Sequence, residues 1–208
     1  MLLVSVIGSA VVAICYFWID RPVAWFVYDH GYSASPDWKD LTLLPPWGQV
    51  WSPLVLTLLA IRRSFGPLDP WQRTLFVSGI TLIVSDQFRV SLGDLCGRYW
   101  PETWFGNPSL IGDGAYGFHP FVRGDDIGSF PSGHAARIVS FATVWWFAFS
   151  RLRLMIIAIC LPLLVALVAM NYHFVGDVVA GSVLGGIVGR SAVAIDREFD
   201  KRFACRRV

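Results

Sequence analysis

Charge is what this chain has least of. Only 15% of its 208 residues are Asp, Glu, Lys or Arg, against about 25% in an ordinary soluble domain. With 55% hydrophobic residues and a mean hydropathy of +0.54, a water-exposed globule would lack polar coating, whereas a bundle facing lipid needs little. Cysteine is scarce and scattered: Cys15, Cys96, Cys160 and Cys205 stand in separate segments with no CxxC pair, which argues against a zinc ribbon and a disulfide framework. They read as small apolar fillers. The net charge is only +2 and the basic residues fall in short separate clusters, so nucleic acid is not an expected partner. The N-terminus, Met-Leu-Leu-Val, has no basic n-region, and no small-x-small site is followed by a soluble domain; it is expected to be a retained span. Internal repeats and low-complexity segments are also missing, and the expectation is a single domain over residues 1–208.

What is there is apolar and long. Six stretches approach the ~20 residues needed to cross a bilayer: near 2–19, 48–62, 74–92, 133–150, 154–171 and 173–191. The expected fold class is therefore all-α, a polytopic membrane bundle of about six helices. Pro53 sits in the second stretch, and Trp47 and Trp51 at its start look like interfacial anchors. Basic residues divide the connecting segments. Arg62, Arg63 and Arg73 share one loop, Arg151 and Arg153 another, and the tail carries Arg190, Arg197, Lys201, Arg202, Arg206 and Arg207. By the positive-inside rule these face the cytoplasm. Segments 20–47, 93–132 and 171–173 then face outward, with both termini inside. The 93–132 segment is too long for a plain connector, and its aromatics, Tyr99, Trp100, Trp104, Phe105, Tyr116, Phe118 and Phe121, predict an ordered outer loop.

Two clusters carry chemistry. In Phe130-Pro131-Ser132-Gly133-His134, Pro131 and Ser132 supply a helix start and Gly133 lets the backbone approach a ligand. Free N–H groups at a helix N-terminus beside an imidazole make an anion site; taken alone, the string fits a capped helix with an interfacial histidine equally well. The second cluster, His173-Phe174-Val175-Gly176-Asp177, spaces a histidine and an aspartate four apart, so Asp177 is expected to orient His173 from one helical face. An ionisable pair in an apolar segment is a functional candidate. A structural pair that steadies the bundle is the other reading, and the shared outer side of both histidines weighs against it.

These residues resemble the type 2 phosphatidic acid phosphatase superfamily, whose motifs are K-x6-R-P, P-S-G-H and S-R-x5-H-x3-D. Pro131-Ser132-Gly133-His134 matches the second whole, His173 and Asp177 match the third, and Pro101 the first. Gly93 and Trp100 stand where the first motif has its lysine and arginine, and Ala166-Leu167 where the third has Ser-Arg. The resemblance implies a membrane lipid phosphatase at the outer face of a bacterial inner membrane, acting on a phosphorylated lipid without metal or other cofactor. His173 would be the nucleophile, Asp177 its orienting partner and His134 the general acid. The missing cations call for substitutes, since charge stabilisation is a large share of such catalysis. Arg98 and Arg137, with Ser132 and Gly133, are the expected phosphate-binding residues. Arg89 and Arg123 are weaker candidates, Arg123 being expected to snorkel to headgroups. Asp125-Asp126 reads as a solvated turn rather than a metal site. A lipid phosphotransferase using the same phospho-histidine, or a silent lipid-binding relative, are the alternatives.

Overall fold

The apolar runs fold as long helices in the computed structural model, which describes residues 2–30, 36–101, 114–122, 124 and 127–205. α1 (Leu2–Ile14) passes through a π-helical turn, Cys15–Ile19, into α2 (Asp20–His30). α3 (Pro36–Thr42), α4 (Leu44–Ser64) and α5 (Pro70–Cys96) follow. Beyond the long loop come α6 (Gly133–Ala148), a 3-10 turn at Ser150–Leu152, α7 (Arg153–Ala169) and α8 (Val175–Cys205). Among the described residues, five helical segments are long and apolar enough to cross a membrane: Leu2–His30, Trp38–Ser64, Pro70–Cys96, Ser150–Ala169 and Val175–Arg202.

Two expectations shift. The expected fourth span is a helix of 16 residues, about 24 Å at 1.5 Å per residue, short of a ~30 Å hydrocarbon core. It packs chiefly between α8 and α5, and the extended backbone at Phe149 ends it. The 20–47 segment, read as a loop because of its charges, is largely helical. Asp20 and Arg21 continue the first helix because the π turn intervenes, the Asp20 N–H bonding to the Cys15 carbonyl. A π turn widens the ladder just before Pro22, which has no N–H to contribute.

The glycines of α8 set how close α6 can come. A Cβ at Gly181 would lie 2.3 Å from the Ser132 carbonyl oxygen, at Gly185 2.4 Å from that of Ala136, and at Gly189 2.7 Å from that of Ser140. Small residues four apart are how membrane helices bring backbones together where no hydrophobic force drives them. Leu163, Leu167, Ala135 and Val178 close the interior around this contact. Gly185→Leu is expected to force α6 off α8 and cost roughly 1–3 kcal/mol or more of stability. Gly186→Leu, where an added Cβ meets nothing within 4 Å, should be neutral. Thermal unfolding of the two purified variants in detergent checks the contrast.

At the far end of the bundle Arg73 of α5 is paired with Asp196 and Asp200 of α8. At the near end α5 stops at Gly97, which adopts the left-handed conformation (φ 58°) and donates its N–H to the Gly93 carbonyl at 2.9 Å. That cap turns the chain so that the next residue, Arg98, points into the protein. The loop returns to this point: Gly128 and Ser129 donate to the Arg98 carbonyl at 2.8 and 3.1 Å, and His119 to that of Gly97 at 2.9 Å. Tyr116 stacks on Tyr16 of the π turn, with ring centroids 5.0 Å apart. These described parts of the long loop are ordered against the bundle, as its aromatic content predicts.

Candidate active site

The near end gathers the starts of α6 and α8, the end of α5 and the returning loop. α6 begins at Ser132, whose side-chain oxygen accepts from the Ala135 N–H at 3.3 Å while its own N–H donates to the Asp177 carbonyl at 3.0 Å. The Gly133 and His134 N–H groups remain without intrahelical acceptors, as the first turn of any helix requires. His134 is half-buried and its ring centroid lies 6.0 Å from that of His173.

His173 is fully buried, and it precedes α8 rather than lying within it. The expected helical pairing with Asp177 is accordingly indirect. His173 Nδ1 lies 3.1 Å from the Ser129 carbonyl oxygen and 3.8 Å from Asp177 Oδ2. A carbonyl can only accept, so Nδ1 carries the hydrogen and the lone pair sits on Nε2. Nε2 is buried and has no hydrogen-bond partner among the described residues. Asp177 occupies the third position of α8 and reaches back to the Phe174 N–H at 3.1 Å, one half of a capping box. Its carboxylate also accepts from the Ser129 hydroxyl and, at 2.5 Å, from Arg98 NH1. Ser129 therefore steadies the histidine through its carbonyl and the aspartate through its hydroxyl.

Arg98 does not face open space as its expected role requires. Its side chain is wholly buried, NH1 on Asp177 and NH2 on Asp20 at 2.6 Å and on the Tyr116 hydroxyl at 3.0 Å. Burial alone would lower its pKa, but Asp177 and Asp20 outweigh that and raise it above the ordinary arginine value. Burial holds the Tyr116 phenol well above its usual range, so it stays a donor, to the Tyr16 carbonyl at 2.8 Å. Asp20 in turn accepts the Gly176 N–H at 2.8 Å. Arg98 is thus shared between two carboxylates, of which Asp177 is the one beside His173. Asp20, Ser129 and Tyr116 are the site-end residues that sequence reasoning missed.

The other expected residues are distributed as follows. Arg137 lies on α6 and its NH2 is paired with Asp86, which also takes the Gln49 amide at 2.6 Å. Trp100, in the family's arginine position, sets its ring centroid 4.8 Å from His173. Leu167, in the other, is fully buried in the apolar core. Arg123, Asp125, Asp126, Trp104 and Phe105 lie outside the described residues. Among the described residues, no three of His, Cys, Asp and Glu gather as metal ligands would.

Fold and sequence together define a multi-pass helical membrane protein with a histidine pair and a buried aspartate–arginine–aspartate chain at one end of its bundle. The chain belongs to the PAP2 superfamily, whose model matches residues 74–200. Its fold is similar to the crystal structure of a transmembrane PAP2-type phosphatidylglycerolphosphate phosphatase from Bacillus subtilis, with a TM-score of 0.51 and 15% sequence identity, over 95% of this chain and 96% of that one. No curated protein matches it.

Proposed function

We propose that the chain is a lipid phosphatase that works through a phospho-histidine on His173, one domain serving the whole sequence. The observation that carries this reading is His173 itself: Nδ1 anchored on the Ser129 carbonyl, Nε2 buried and unpartnered, His134 facing it. Nε2 attacks phosphorus, the Nε2–P bond forms and the P–O bond to the lipid alcohol or leaving phosphate breaks. His134 gives the departing oxygen its proton. The imidazole, now positively charged, faces the Asp177 carboxylate at 3.8 Å, so its formation is favoured electrostatically. Water then attacks phosphorus from the vacated side, gives a proton to His134, and the P–N bond breaks to return the Nε2 lone pair and free phosphate. The Gly133 and His134 N–H groups, without intrahelical acceptors at the start of α6, serve as donors to the equatorial oxygens as charge builds on them.

The substrate is a phosphorylated lipid, of the polyprenyl pyrophosphate, phosphatidate or lipid A kind. The side of action is the periplasmic face of a bacterial inner membrane, because Arg62, Arg63, Arg151 and Arg153 stand at the helix ends opposite the site and basic ends stay in the cytoplasm.

Purified protein given a phosphorylated lipid, with and without an acceptor alcohol, tests the reading. Free phosphate in both tubes is the expected result. Phosphate passed to the alcohol instead would make the chain a transferase, and neither product would make it a silent relative. In the same assay His134→Ala should lose about 10²–10⁴-fold on alkyl phosphates and far less on 4-nitrophenyl phosphate, whose leaving group needs no proton.

A further inference from the structure

An anion at this site needs a cation, and the three positions where the family pattern has one hold Gly93, Trp100 and Leu167. Leu167 is sealed in the core. Trp100, however, borders one charged side chain, that of Arg89. Arg89 leaves α5 one turn before Gly93, on the same face of the helix. Its stem lies across the Cα of Gly133: a Cβ there would be 3.0 Å from Arg89 Nε, 3.2 Å from Cδ and 3.4 Å from Cγ. Its NH2 donates to the Gly128 carbonyl at 3.3 Å, and a Cβ at Gly93 would lie 3.8 Å from that same oxygen. Arg89 and a side chain at position 93 would thus both approach the Gly128 carbonyl.

The guanidinium carbon stands 6.0 Å from the centroid of the Trp100 ring, which itself borders His173. Trp100 carries no charge but offers a face on which a guanidinium rests. What distinguishes Arg89 from its neighbours is that it makes no ion pair among the described residues. Arg98 and Arg137 are tied to carboxylates, whereas among the described residues none pairs with Arg89, and its Nε is buried with no partner. A buried donor of that kind calls for an acceptor.

We propose that Arg89 is the principal cation for the substrate's phosphate group, seated by Gly133, Trp100 and the Gly128 carbonyl, so that the charge absent from two family positions is supplied from one turn before Gly93 on α5. The proposal rests on the phosphatase reading above. It also gives Gly133 a second task, since any side chain there displaces Arg89.

The test measures kcat/KM on a lipid phosphate and affinity for orthovanadate, which mimics pentacoordinate phosphorus, on the full chain in detergent. Arg89→Ala and Arg89→Gln should each lose about 10²–10³-fold in kcat/KM, the usual cost of one transition-state donor, and bind vanadate at least about tenfold more weakly. Arg89→Gln keeps the stem against Gly133 and removes the charge, so its loss reports charge rather than packing. Adding Gly93→Lys to Arg89→Ala should restore at least about tenfold, which no purely structural role for Arg89 allows. Wild-type turnover and vanadate affinity in Arg89→Gln, with His173→Ala inactive, would overturn this assignment and leave the phosphatase reading intact. A wild-type protein that neither releases phosphate nor binds vanadate would overturn both.

Discussion

Replacing His173 by alanine is expected to abolish turnover, a loss of about 10⁴-fold or more, because removing a covalent nucleophile leaves only binding and electrostatic contributions behind. The fold differentiates the two nitrogens of the buried His173 ring: Nδ1 meets the Ser129 carbonyl, and Nε2 has no hydrogen-bond partner among the described residues. The variant should still fold, since truncating the ring leaves one buried acceptor, the Ser129 carbonyl, without its donor, at a cost of about 1–3 kcal/mol. Steady-state phosphate release together with thermal unfolding separates the two effects. Near-normal turnover in a folded His173→Ala protein would mean that another group attacks phosphorus.

Arg98→Ala is expected to damage both stability and activity, by a different route. Asp20 and Asp177 are completely shielded from solvent on either side of the guanidinium. Removing the partner from buried charges costs about 3–5 kcal/mol, because the charges left behind remain desolvated. The chain Asp20–Arg98–Asp177 also ties the start of α2 to the start of α8, and so fixes the carboxylate that faces His173. Arg98→Lys should recover only part of the loss, since a single ammonium cannot fork to two carboxylates and the Tyr116 hydroxyl. Denaturation in detergent and kcat read on the same samples check this. A fully stable, fully active Arg98→Ala protein would contradict the positioning role.

That role is where the sequence misleads most. Arg98 sits two residues before the position where the family has a phosphate-binding arginine, and proximity in the chain made it the obvious substitute. What decides its task is Asp20, 78 residues away, in a stretch whose charges look like a loop and which becomes helix only because a π turn carries α1 into α2. No periodicity announces such a pairing. By contrast, Pro131, Ser132, Gly133, His134, His173 and Asp177 were legible because each combines a chemical type with a fixed spacing, and their helix starts meet as that spacing suggests. The membrane character followed from composition alone. The close approach of α6 to α8 was written in Gly181, Gly185 and Gly189, four apart in an apolar helix, a signal strong enough to have been used. Ser129 flanks the motif, but it acts on the histidine through its backbone carbonyl, which carries no side-chain signature. Arg89 had a faint one: a lone arginine late in an apolar span, one turn before a glycine that stands in a cation's place.

The most direct test of the central claim is to trap the covalent intermediate. Protein mixed with a lipid carrying labelled phosphate is quenched within one turnover in alkali, where phospho-histidine persists and phosphoserine esters are lost, then digested and sequenced by mass spectrometry. The account predicts label on the peptide holding His173, labile in acid, undetectable in His173→Ala and more abundant in a variant slowed at the hydrolytic step. Phosphate released at the normal rate with no label on the protein at any quench time, or label on a different residue, would contradict it.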